Sequence, residues 1–157
     1  CGMHAVDSCR TEKAYRHFSH DITDEDHVLE AGLGFAAKVG KKPSKFGNFI
    51  GYQAVVDKKK KGCERKIMQF LLKNPEVMLH HNEPILRNGK TVGYLTSGSY
   101  GHALGGAVGL GYVDCEPNQG DADILKDHFE IEVEGVIEQV SVSLIPMFDP
   151  QNKKIRT

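Results

Sequence analysis

The chain has 157 residues, 39% hydrophobic and 26% charged, with a formal net charge of −1, which describes one globular domain or at most two small ones. That charge balance gives no global attraction to nucleic acid or an anionic membrane. No apolar run approaches the roughly 18 residues of a membrane span, and no signal-peptide pattern opens the chain. The four cysteines, Cys1, Cys9, Cys63 and Cys115, are scattered without a C-x-x-C pair, which argues against structural zinc or a disulfide framework. Reduced thiols fit a bacterial cytoplasm or a mitochondrial matrix.

The opening Cys1-Gly2 carries neither a methionine nor a polar tail, so the expectation is a piece whose upstream half lies elsewhere. His4 to Phe18 predicts a helix, with Ala5, Cys9 and the stems of Lys13 and Arg16 at helical spacing. Asp21, Asp24, Glu25 and Asp26 then form an acidic loop in which Thr23 can cap a short turn. Ala31 to Val39 (AGLGFAAKV) predicts a buried strand, and Lys41 to Asn48 a connection broken by Pro43 and Gly47. Phe49 to Lys61 predicts a helix stopped by Gly62, its terminal lysines suiting the helix dipole.

Strand signals follow. Arg65 to Lys73 is strand-like, and Asn74-Pro75 ends it. Asn88-Gly89 between PILR and KTVGYLTS predicts a hairpin over Pro84 to Ser97, because both turn residues accept positive φ. Val108 to Cys115, Phe129 to Glu134 and Val136 to Ile145 supply three more strands. The fold class is therefore α+β: an α+β segment over residues 1–62, then a small antiparallel β-barrel over 63–157.

Val92 to Val113 holds seven of the 17 glycines, alternating with apolar residues. Curved, closely packed strands account for this pattern. A phosphate cradle is the alternative, but no G-x-G-x-x-G joins a strand to an amphipathic helix and no G-K-[ST] follows. Basic residues concentrate between Lys38 and Lys73 and acidic ones between Asp114 and Glu138. A solvated helix end and loop explain the basic stretch better than a polyanion site. The eight histidines show no H-E-x-x-H or mixed Cys/His spacing, so no metal site is expected. No G-x-S-x-G occurs, and Cys9 has no assignable base. No catalytic residue emerges.

Val6-Asp7-Ser8-Cys9-Arg10-Thr11-Glu12-Lys13-Ala14-Tyr15-Arg16-His17, followed by Leu29-Glu30-Ala31-Gly32-Leu33-Gly34-Phe35, resembles the aminomethyltransferase (glycine-cleavage T-protein) family. RHFSHDI, Thr96 to His102, Val108 to Val113 and Pro146 to Pro150 resemble one branch, the C-terminal folate-binding portion of dimethylglycine and sarcosine dehydrogenases. The resemblance spans the chain in order. It implies the end of a folate domain over 1–62 and the terminal barrel over 63–157, with the catalytic aspartate upstream of Cys1. It also implies tetrahydrofolate as cofactor and a small methylated amine as the substrate of a parent oxidative demethylase. That parent would form methylene-tetrahydrofolate, with FAD held only in its upstream part.

Carried over by position, Arg10, Glu12, Tyr15 and Glu30 fall at cofactor-binding positions. A guanidinium suits the carboxylates of a folate tail; a surface ion pair with Asp7 is the other reading of Arg10. Glu30 could equally cap backbone amides. Cys9, Thr11 and Ala14 depart from the family's commoner leucine, apolar residue and glycine, which puts the packing of that helix in question. Other functions on the same scaffold are a regulatory or interaction subunit, a stand-alone aminomethyltransferase and a folate-dependent demethylase. An isolated piece is expected to bind folate weakly, to be inactive alone, and to dimerise over any apolar face left bare.

Overall fold

A computed structural model describes residues 1–39 and 49–156; the expected connection over Lys41 to Asn48 lies outside the described residues. Helix α1 (Met3–Glu12) leads through turns to a short α2 (Gly34–Ala37), then α3 (Tyr52–Lys61) and strand β1 (Arg65–Leu72). The hairpin β2 (Pro84–Arg87) and β3 (Lys90–Gly101), strand β4 (Gly106–Asp114), a short α4 (Asp121–Ile124) and the hairpin β5 (Phe129–Val133) and β6 (Val136–Ser143) complete it. The six strands close into an antiparallel barrel in the order β1-β4-β3-β2-β5-β6.

The strands formed where alternation predicted them. Arg87 pairs with Lys90 across Asn88 and Gly89, both at positive φ, the backbone of a tight primed turn. Met68, Phe70 and Leu72 on β1 point into the barrel with Ile85, Leu95, Val113, Phe129 and Ile131. Ile124 of α4 and Leu79, both fully buried, join the same core. Ile67 sits on the opposite face with Leu110, Tyr112 and Ala14. Strand β4 is buried along nearly its whole length because the barrel interior covers one face and the N-terminal segment the other.

Three expectations near the N-terminus are corrected. The first helix stops at Glu12 rather than Phe18. Ala14 takes φ 51°, its N–H donates to Thr11 O at 3.0 Å, and that of Tyr15 to Arg10 O at 2.8 Å. That is a Schellman stop with alanine where glycine is usual. Ala31 to Val39 is not a strand: Gly32 turns at φ 70°, residues 34–37 are helical, and Phe35 is 79% exposed. The second helix begins at Tyr52, three residues late, because Gly51 is left-handed at φ 85°. Its end is as expected. Gly62 has φ 92°, and a Cβ there would sit 2.7 Å from Asn118 N, so glycine alone fits.

The glycines of Val92 to Val113 lie in β3, β4 and their connection. They serve close approach, as at Gly98, where a Cβ would lie 2.5 Å from the Leu79 carbonyl carbon.

Buried polar groups fasten the N-terminal segment to the barrel. Gln69, 2% exposed, donates to the carbonyls of Thr11 and Glu12 at 2.7 and 3.0 Å and accepts from Met147 N at 2.7 Å. Lys13 donates to Asp149 O and Asn152 Oδ1 at 2.7 and 2.8 Å. Ser8 Oγ donates to Tyr100 O at 2.7 Å. Each bond satisfies a group that would otherwise be costly to bury.

Candidate functional site

The densest polar centre surrounds Asp21, whose side chain is fully buried. Its Oδ2 accepts from Arg10 Nη1 at 2.5 Å and from His17 N at 2.8 Å. Its Oδ1 accepts from Thr96 Oγ1 at 2.5 Å and Ser97 Oγ at 2.7 Å. Its backbone carbonyl accepts from Tyr112 Oη at 2.9 Å. Burial raises the Tyr112 phenol to about 12, with Asp26 adding to the shift.

Local backbone irregularities build this centre. The Schellman stop at Ala14 turns the chain so that Asp21 returns alongside α1. Neighbouring strand residues normally face opposite sides of a sheet, yet Thr96 and Ser97 both reach Asp21. The β3–β4 register steps from Leu95 opposite Gly111 to Ser97 opposite Leu110, so Thr96 is the extra residue of a bulge, and bulges re-aim side chains in this way.

Arg10 stands at the edge of the centre, its side chain 14% exposed. Its Nε donates to Asp7 Oδ1 at 3.1 Å and its Nη2 to Ser97 Oγ at 3.0 Å. Three of its five N–H groups are thus engaged. Clefts open on two sides: one of about 210 Å3 between Arg10, His20, His80, His81 and Ser97, the other of about 220 Å3 between Met3, Val6, Tyr15 and Arg16. The pair with Asp7 exists, but the buried partner is Asp21, a member of the acidic loop whose pairing no local sequence signal marks.

The remaining three residues are dispersed. Glu12 is buried, and its Oε1 accepts from Ala103 N at 2.6 Å and Leu104 N at 3.3 Å, fixing the β3–β4 connection. Tyr15 is 51% exposed and borders the second cleft. Glu30 is buried on the far side of Tyr112, with Lys58 Nζ at 2.7 Å and Arg65 Nε at 2.9 Å. Burial pushes the Glu30 carboxyl up, but bonds from Lys58 and Arg65 outweigh it and hold the group below its usual range. Arg65 also reaches Asp26 at 2.7 Å and stacks 4.7 Å from the centroid of the Tyr112 ring. One lysine of the basic helix end, Lys58, is therefore a structural partner of Glu30.

His17 and His20 stack at 4.6 Å between ring centroids. Among the described residues, no three His, Cys, Asp or Glu side chains converge as a metal site. Cys63 and Cys115 are partly buried, and burial pushes both thiols up.

A closed six-stranded barrel with an N-terminal helical arm, sharing one arginine-bearing polar centre, defines the class of module. Residues 65–149 match the glycine cleavage T-protein C-terminal barrel domain, and residues 1–41 match the GCVT N-terminal domain. The chain belongs to the glycine cleavage T-protein, or aminomethyltransferase, family. It is 37% identical over 155 residues to 4-methylaminobutanoate oxidase (formaldehyde-forming) of Paenarthrobacter nicotinovorans, covering 99% of this chain and 18% of that protein. It is 32% identical over 158 residues to mitochondrial sarcosine dehydrogenase of Homo sapiens, covering 99% of this chain and 17% of the enzyme. The crystal structure of glycine cleavage system aminomethyltransferase T from Bartonella henselae superposes with a TM-score of 0.73 at 24% identity. That match covers 93% of this chain and 38% of the other, and establishes the shared fold. The chain thus spans less than a fifth of the length of the oxidase and the dehydrogenase.

Proposed function

We propose that this chain is part of a tetrahydrofolate-dependent one-carbon transfer domain in an oxidative demethylase resembling dimethylglycine and sarcosine dehydrogenases, one that forms methylene-tetrahydrofolate. In this reading residues 1–62 complete the folate-binding domain and 63–157 form its terminal barrel. The observation that carries it is the set of Arg10. A buried carboxylate and a bulge hydroxyl orient the guanidinium while two N–H groups are left beside open clefts.

These residues fit the carboxylate end of a folate better than its body. A guanidinium pairs well with a carboxylate, but clefts near 210 and 220 Å3 are smaller than the usual range of about 300–1,000 Å3 for a ligand pocket. Glu12 and Glu30 are occupied with internal partners, so the pterin would have to be gripped by residues outside this segment. Bound tetrahydrofolate would supply the amines that accept the one-carbon unit. Arg10 would orient its tail, Asp21 would hold Arg10, and Tyr15 would cover one side of the cleft.

Calorimetric titration with tetrahydrofolate tests this on the whole protein carrying the segment. The expected result is saturable binding that weakens about tenfold or more in Arg10→Gln, the usual effect of losing a charge-assisted hydrogen bond. The segment alone should bind weakly or not at all. A whole protein that ignores tetrahydrofolate refutes the proposal.

A further inference from the structure

Arg16 is paired differently from the other interior arginines. Arg10 rests on Asp7 and Asp21, Arg65 on Asp26 and Glu30, and Arg87 on Asp127. Arg16 makes no ion pair among the described residues: its Nε donates to Ala31 O at 2.9 Å and its Nη1 to Ala14 O at 2.5 Å. Those two carbonyls fix the plane of the guanidinium. Gly32 lies flat against it, since a Cβ there would sit 2.6 Å from Nη2. Among the described residues, Nη2 is the one nitrogen of the three with no hydrogen bond to an acceptor.

The guanidinium borders a cleft of about 510 Å3 between the N-terminal turns and the segment after β6. Leu33, Phe35, Leu144, Ile145 and Pro146 give it apolar walls. Among the described residues its lining contains two cations, Lys13 and Arg16, and no Asp or Glu. Lys13 is spent on Asp149 and Asn152, so of the two cations Arg16 is the one with a donor to offer. Burial pulls the Arg16 guanidinium below its ordinary value, and the nearby Asp21 and Tyr112 only partly restore it. A desolvated cation without a counter-ion gains most from an anion delivered by a ligand.

We propose that this cleft binds an organic carboxylate, its anionic end on Arg16 Nη2 and its aliphatic or aromatic body against Leu33, Phe35 and Pro146. The volume falls within the range of small-molecule pockets, which pair apolar walls with a few fixed polar groups. Such a carboxylate could be the benzoyl-glutamate tail of a folate or a free carboxylic acid. The site does not depend on the folate reading, because the cleft and its unpaired cation stand without it.

The test uses 4-aminobenzoyl-glutamate for the tail and 4-phenylbutanoate for the free acid, with 4-phenylbutanamide as the uncharged control. Each is titrated into the chain while the Arg16 Nε–Hε resonance is followed by NMR. The expected result is a saturable shift with at least one acid and none with the amide; the tighter acid names the source. Arg16→Gln should weaken binding about tenfold or more. The exposed Phe35→Ala, which leaves the fold alone, should weaken it severalfold if Arg16→Gln fails to fold. No binding of either acid below about 10 mM, equal binding of the amide, or binding unchanged in Arg16→Gln overturns the proposal. Tetrahydrofolate binding by the whole protein that needs Arg10, alongside acid binding indifferent to Arg16, would sink this inference and leave the folate reading standing. A whole protein that ignores tetrahydrofolate while acids still bind through Arg16 would do the reverse.

Discussion

Replacing Asp21 by asparagine keeps the shape of the side chain and removes its charge. The carboxylate accepts four hydrogen bonds, two at each oxygen. An amide retains one accepting oxygen and presents an NH2 to donors, so two of the four are lost. If the amide oxygen stays toward Thr96 and Ser97, Arg10 keeps Ser97 Oγ and, as its one charged partner among the described residues, Asp7, whose side chain is 37% exposed. Removing one partner of a buried ion pair costs roughly 3–5 kcal/mol, mainly through the charge left behind. Because Asp7 and solvent relieve part of that charge, the lower end is expected, about 3 kcal/mol. Urea unfolding of the chain, with an unchanged m-value, reads this as a fall in midpoint. The companion is a double-mutant cycle with Arg10→Met, in which the two losses should fall well short of adding. A loss under about 1 kcal/mol, or strict additivity, would refute the idea that Asp21 is spent on holding Arg10.

Three further outcomes follow from the same geometry. Glu30→Gln should cost about 2 kcal/mol near neutral pH, since bonds to charged groups are worth about 1.5–3 kcal/mol. The Glu30 carboxyl is held low, so its contribution is present above the unfolded value near about 4.3 and fades as pH falls through the folded one. Acid-denaturation curves of the two proteins should therefore converge at low pH, and parallel curves would contradict this. Tyr112, raised to about 12, should ionise well above the ordinary phenol value of about 10. It should withdraw stability as pH rises from about 10, the unfolded value, toward 12. Absorbance titration at 295 nm against Tyr112→Phe checks the assignment, and a component lost from the variant near about 10 rather than near 12 would exclude it. Cys1 and Cys9 are exposed while Cys63 and Cys115 are partly buried with raised thiols, so a disulfide reagent should show two fast and two slow thiols. Four equal rates would count against the described burial.

The barrel was largely legible because local signals and tertiary demands agree there. Asn88-Gly89 sets a turn with its own backbone preferences, and Phe129 to Glu134 alternates because one face of the strand is buried. Gly62 likewise marked the end of α3. The N-terminal segment was read less well because its signals conflict with its fold. Ala14 holds a left-handed position without the glycine that would have announced the end of α1. The apolar run from Ala31 reads as a buried strand, yet Gly32 turns it and leaves Phe35 in solvent. Among the residues proposed for the cofactor, Arg10 carried a signal. The use of Glu12 and Glu30 as internal anchors carried none.

Composition, alternation and turn chemistry were enough for the class of fold and the strands, and the resemblance of several segments in order was enough for the kinship, because each is written within a few consecutive residues or in their order. The polar centre is of another kind. Asp21 meets Thr96 and Ser97 across 75 and 76 positions of chain, through a bulge that depends on how β3 and β4 register. That Arg16 has no ion pair among the described residues likewise depends on which carboxylates packing brought near and which it kept away. Proximity between distant side chains is a property of the closed barrel and the arm laid against it, so only the tertiary structure could decide it.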